Sequence, residues 1–208
     1  MNLTSAPLFL FPSQNRKMKN IISIIVFAFS VTLSAQEVKM RDVFAQTPDS
    51  IFPLMTKNNR LDCIDFIENN MRARVKNKFD TYSELLILTS DYLRLQLSES
   101  STVEMKLFND SLLCMVHTYQ GPGADSEVRF YNTKWQPVSY TLERPKADDF
   151  FQPGSDGEIC GLLRQLPLIK ASLSPDDTTL TWEIQTTELT KVQKKTAESF
   201  LHSIAVKL

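Results

Sequence analysis

Two histidines (His117 and His202), three cysteines and a few adjacent carboxylates are the side chains from which this chain would have to build any chemistry. A zinc site needs closely spaced Cys and His ligands, as in CxxC or HxxxH, and neither spacing occurs. The pairs Asp148-Asp149 and Asp176-Asp177 offer oxygens of the kind calcium takes, but neither has the spaced loop of an EF-hand. Asp176-Asp177, following Pro175, reads as turn chemistry. A catalytic thiol needs a base beside it. Cys63 and Cys114 fit buried small apolar positions, and Cys160, in Gly157-Glu158-Ile159-Cys160-Gly161, is expected to be the most accessible. Three widely spaced cysteines make no disulfide framework.

Nucleophilic catalysis finds no local support either. There is no GxSxG elbow and no SxxK pair. Gly121-Pro122-Gly123 lacks the Gly-Lys-Ser/Thr that cradles phosphates. His117 shares a strand face with Met115 and Tyr119, which points to packing or an edge position. Carboxylates gathered from separate loops would need no motif, so a small hydrolase of that kind is the catalytic alternative. The sequence assigns no catalytic, cofactor-binding or metal-ligating residue.

Two sets remain. Phe150 and Phe151 lie among turn formers; exposed they would anchor a partner, buried they would plug a long loop against a sheet, and burial fits better. Ser50, Ser111 and Thr178 each follow an aspartate, in Asp49-Ser50-Ile51, Asp110-Ser111-Leu112 and Asp177-Thr178-Thr179. These triplets resemble the O-glycosylation acceptors of some Gram-negative gut bacteria, although Asp-Ser is equally a turn signal.

The elements that must position these residues run helix, sheet, helix. Pro48 and Pro53 break a helical start over Val43 to Met55. Asn59 is expected to cap a helix in which Leu61, Ile64, Ile67 and Met71 recur at helical spacing. Arg72, Arg74, Lys76 and Lys78 would then be its basic last turn. From Leu85 the period becomes two. Leu93, Leu95 and Leu97 alternate with polar residues, as do Val103, Met105 and Leu107, so each strand has one buried face. Leu112 to Tyr119 is apolar on both faces and belongs in the interior of the sheet. Val128 and Phe130 continue the alternation, and Trp135 to Tyr140 is expected as a short strand. Turn-forming loops (98–101, 109–111 and 120–125) allow only antiparallel neighbours. Another hairpin spans Ser174 to Asp177, with Leu180, Trp182 and Ile184 as its buried row. Thr190 with Gln193 matches a capping box, and Val192, Ala197, Phe200, Leu201, Ile204 and Leu208 predict a C-terminal amphipathic helix. The expected fold is α+β: an antiparallel β-meander of six or seven strands, packed against N-terminal helices and that C-terminal helix.

The N-terminus supplies an address. Arg16, Lys17 and Lys19 precede an apolar run from Ile21 to Leu33, which exits through Ser34-Ala35-Gln36-Glu37, the pattern of an export signal. The run is too short to span a bilayer. Met18 reads as the true start and Ala35-Gln36 as the cleavage point, so residues 1–35 are extension plus signal and residues 36–208 a single domain with no transmembrane span. The whole chain carries a net charge of −1, and loss of the three basic leader residues takes the body to about −4. An acidic body is a poor partner for nucleic acid.

Met40-Arg41-Asp42-Val43-Phe44, Asn58-Asn59-Arg60-Leu61-Asp62, Leu97-Ser98-Glu99-Ser100-Ser101, Asn109-Asp110-Ser111, Gly121-Pro122, Asp125-Ser126, Phe130-Tyr131 and Trp135 together resemble an uncharacterised family of exported proteins from Gram-negative gut bacteria, a domain of unknown function. The resemblance spans nearly the whole body and implies export and an α+β fold, without an activity or a cofactor. The expectation is an exported, non-catalytic periplasmic or cell-envelope protein, in the periplasm or associated with the outer membrane, that binds a protein or glycan of the envelope. The small hydrolase and an enzyme inhibitor are the alternatives.

Overall fold

The computed structural model describes residues 37–208 apart from Asn109 and Asp110. The leader, the start at Met18 and the cleavage point at Ala35-Gln36 lie outside the described residues.

Six strands pair in chain order as an antiparallel meander: β1 (Ala73–Lys76), β2 (Tyr82–Leu88), β3 (Tyr92–Ser98), β4 (Ser101–Phe108), β5 (Leu112–Gln120) and β6 (Ala124–Asn132). A second antiparallel sheet has the order β7 (Ile169–Leu173), β8 (Thr179–Ile184), β9 (Ile204–Lys207). The described helices are α1 (Met40–Ala45), α2 (Lys57–Glu68), α3 (Gly157–Gln165) and α4 (Lys191–Ala197), with a 3-10 turn at Ala147–Phe150. The fold is α+β, with the antiparallel meander the residue alternation implied. No described helix is long and apolar enough to cross a membrane.

Successive strand side chains point to opposite faces, and here both faces are covered. Leu93, Leu95, Leu97, Val103, Met105, Leu113 and Met115 pack with Val43, Phe44, Phe52, Cys63 and Ile64 of the N-terminal helical region. Tyr92, Phe108, Cys114, Val116 and Phe130 pack on the other side with Leu173, Leu180 and Trp182 of the second sheet, and with Ile159 and Leu163 of α3. The run on β5 is apolar on both faces because each face has its own core.

β7 is an edge strand whose outward N–H groups need partners. The meander supplies them with side chains. Ile169 N–H donates to Asp125 Oδ1 (2.9 Å), Ala171 N–H to Ser126 Oγ (2.9 Å) and Leu173 N–H to Glu104 Oε2 (2.8 Å). Buried Lys106 adds a bond from Nζ to the Pro175 carbonyl (2.8 Å) and an ion pair with Asp91 (2.8 Å). At the β5–β6 hairpin the chain approaches the second sheet so closely that a Cβ on Gly123 would sit 2.5 Å from Thr187 Oγ1 and 2.9 Å from Leu168 Cδ1. That contact explains the glycine without any phosphate.

The structure corrects five local expectations. Thr56, not Asn59, caps α2; Asn59 is the third helical residue and closes the capping box by accepting from Thr56 N–H. The basic run after it is no helix end, because α2 stops at Glu68. Arg74 and Lys76 instead form the wet face of β1, with Ala73 and Val75 buried between them. Trp135 to Tyr140 does not form a strand. Trp135 takes a positive φ (63°) that turns its indole inward, to donate to the Val43 carbonyl (3.0 Å). Helix α3 was not expected where Gly157 and Gly161 disfavour one; Asp156 starts it by accepting from Glu158 and Ile159 N–H. Finally, the C-terminal helix ends at Ala197, and Ile204–Lys207 pairs with β8 as β9. Val192, expected on the buried face, is 78% exposed.

Candidate functional site

The outer edge of β6 holds the most distinctive surface feature. Within an antiparallel strand the N–H and C=O of one residue point to the same side, and the side alternates. Phe130 accepts from Val138 N–H (2.9 Å) and Ser126 from Arg144 Nη1 (3.2 Å), both away from β5. Val128, between them, therefore also faces outward. Its N–H and C=O have no partner among the described residues.

The reason lies in the segment that follows. After the bridge between Tyr131 and Pro137 the chain bonds once to β6 through Val138, then diverges as an exposed strap, and returns only where Arg144 reaches Ser126 and Asp125. Pro137 and Pro145 bracket this strap and deny it two ladder donors. Between strap and strand lie two adjoining hollows. One, of about 630 Å³, is lined by Val128–Tyr131 and Pro137–Thr141. The other, of about 200 Å³, runs inward past Val128, Phe130, Tyr140 and Leu142 to Trp182. The ring of Tyr140 stacks on Phe130 at 4.2 Å and 21°. Trp182 is only 2% exposed, and its indole N–H has no partner among the described residues.

A second polar set sits on the helical face of the sheet, beyond the cover of the helices. Ser101 Oγ lies 2.6 Å from His117 Nε2, and Tyr119 OH lies 3.0 Å from His117 Nδ1, with the two rings stacked. Burial lowers the His117 pKa, Glu127 opposes this and Arg129 adds to it. Ser101 is largely buried, and none of the hollows described here is lined by this set. Its evident work is to tie β4 to β5 at the open end of the hairpin. The sequence placed His117 beside Tyr119 but gave no sign of Ser101, which only the strand register brings near.

The residues singled out in the sequence are placed as follows. Phe150 is fully buried in the second core. Phe151 is half-buried beneath Arg164, whose guanidinium carbon is 5.2 Å from the ring centre. The segment is held by backbone bonds with Phe200 and His202, so the pair plugs the loop and is no exposed anchor. Cys160, expected to be accessible, is buried, as are Cys63 and Cys114. Burial pushes the thiols of Cys63 and Cys114 up to about 12. Ser50 is exposed in a turn, with Asp49 of its triplet shared by Arg60 (3.1 Å) and Lys78 (3.2 Å). Ser111 is exposed, while Asp110 before it lies outside the described residues. Thr178 is half-buried, and its carbonyl accepts from Leu208 N–H.

The loop carboxylates do not gather. Asp125 pairs with Arg144, Asp148 with Arg164, Asp149 caps the 3-10 turn through Lys146 N–H and Asp156 caps α3. No cluster of three His, Cys, Asp or Glu occurs among the described residues. The cleft of converging carboxylates that a hydrolase of that type requires is therefore not formed by these residues. Both faces of the meander are covered, so neither is the bare apolar face expected of an inhibitor.

Comparison with known proteins agrees on fold and adds no activity. No curated protein matches the chain. The solved structure of a domain of an uncharacterized protein from Porphyromonas gingivalis W83 is similar, with a TM-score of 0.66 and 24% identity over 81% of this chain and 92% of that one. The profile of the family described as protein of unknown function (DUF3256) matches residues 30–207. The chain belongs to that family, and its α+β meander is the fold it shares with the Porphyromonas domain.

Proposed function

We propose that this protein is an exported, non-catalytic component of the cell envelope that works as a binding module, with its ligand seated in the groove between β6 and the strap at residues 137–144. The observation that carries this reading is a concave site beside the Val128 N–H and C=O, which are left without partners among the described residues. The leader pattern supports export to the periplasm or the outer-membrane surface, and the acidic body supports a protein or glycan of the envelope as partner. The exposed acceptors Ser50 and Ser111, and less readily Thr178, are sites where such a protein would carry O-glycans.

The test uses the full chain expressed in a Gram-negative host and recovered from its envelope fraction. The expected protein begins at Gln36, and its Trp182 indole and Val128 amide resonances shift when fractionated envelope extract is added. Recovery from the cytoplasm with an intact leader would overturn export. Resonance shifts confined to surfaces away from β6 would overturn the site.

A further inference from the structure

Resting on the reading of the β6 groove as a binding site, we infer that its ligand is a segment of another protein in extended conformation, added to β6 at Val128. The groove offers the N–H and C=O of Val128, side by side at the strand edge, with the Trp182 side chain at its inner end. A residue of an added antiparallel strand presents one C=O and one N–H at matching spacing, and so satisfies both groups of Val128 at once.

The walls fit the same ligand. Val128, Val138 and Leu142 are apolar and partly open, suiting a side chain that points into the groove. The opposite wall is itself extended backbone. The exposed strap from Ser139 to Thr141 adds further main-chain groups, and the only backbone bond among them in the described residues is Leu142 N–H to Tyr140 C=O. A strand seated between β6 and the strap would complete an edge that the two prolines keep open.

The orientation of Val128 allows a clean variant. Its N–H points away from β5, so Val128→Pro deletes the outward donor without removing a ladder bond of the meander. Binders would be selected from a displayed library of linear peptides against the full-length exported protein, and one would be resynthesised with an N-methyl group at each position in turn. We expect Val128→Pro to weaken binding about five- to tenfold, the net worth of one or two hydrogen bonds. The N-methyl series should lose affinity at alternate positions. In the wild-type complex the Val128 amide should change from fast to slow hydrogen exchange, a readout that stands even if Val128→Pro fails to fold. Peptides that bind with no protection of Val128 would overturn the inference. Groove resonances that respond to a library of envelope oligosaccharides but to no peptide would overturn strand addition and leave the binding site standing. If neither library moves them, both readings fall.

Discussion

The helical face and the hairpin face of the meander are both buried, but they are held by different means. On the helical face Phe44, Phe52, Met55 and Trp135 meet the leucines of β3 in plain apolar packing, and the indole-to-Val43 bond is a rare polar tie. On the hairpin face the apolar core around Trp182 and Leu180 is bordered by Asp125, Ser126, Glu104 and Lys106, whose side chains accept or donate to the backbone of the second sheet. A helix satisfies its own backbone, whereas an edge strand laid across another sheet does not. The hairpin face therefore spends several polar side chains on the backbone of another sheet, whereas the helical face uses few, among them buried Arg60 on the Met55 carbonyl and Asp49.

Each face has one tryptophan, Trp135 on the helical side and Trp182 on the hairpin side, and the sequence contains only these two. Single-tryptophan variants can follow the two faces separately. The largest effect should come from emptying either core. Phe52→Ala and Phe150→Ala, one on each side, should each cost about 3–5 kcal/mol in denaturant unfolding, as large-to-small core changes do. If the meander unfolds as one unit, both tryptophans will report the same midpoint in both variants. Separate midpoints would show that the second sheet can leave while the meander survives.

An intermediate effect tests the polar clamp itself. Ser126→Ala removes the acceptor of Ala171 N–H and the partner of Thr118 Oγ1 (2.8 Å), leaving buried groups unpaired. The expected cost is about 1–3 kcal/mol, with amide exchange accelerated first at Ala171 and not in α2. An equal acceleration on both faces would mean that the clamp is not specific to the hairpin side.

The smallest effect concerns His117, at the uncovered end of the helical face. Its folded pKa is lowered by burial first, so the unfolded chain takes up a proton at higher pH than the folded one. Stability should hold above the unfolded value, near pH 6.5, and decline as pH falls below it toward the folded pKa. His117→Gln should flatten that part of the pH profile, measured by chemical denaturation between pH 7 and pH 5. An unchanged slope would show that carboxylates elsewhere, among them Asp49 and Glu84 held low by their arginine partners, govern acid sensitivity.

Much of the meander was legible because period-two burial is written residue by residue: Leu93-Leu95-Leu97 and Val103-Met105-Leu107 lie on the buried face the alternation assigns. The groove was not. Its parts come from β6, β8 and the strap, and what makes it a site is backbone groups lacking partners, which no side-chain pattern encodes. Pro137 and Pro145 were the available signal that the chain after β6 would fail to pair, and the expected strand from Trp135 to Tyr140 overrode it.

The amino-acid sequence alone determined the class of the fold, the antiparallel pairing of consecutive strands from β2 to β6, the two-sided burial of β5 and the capping box at Thr190. These follow from hydrophobic period and short turns, both local properties. Only the tertiary structure decided the fate of the C-terminus. Val192, Ala197, Phe200, Leu201, Ile204 and Leu208 have helical spacing, yet the chain leaves the helix and Ile204–Lys207 pairs with β8. The open edge of β8 presents backbone donors and acceptors that must be paired, and that demand outweighs a helix propensity worth tenths of a kcal/mol per residue. The same rule, left unmet at Val128, is what opens the groove.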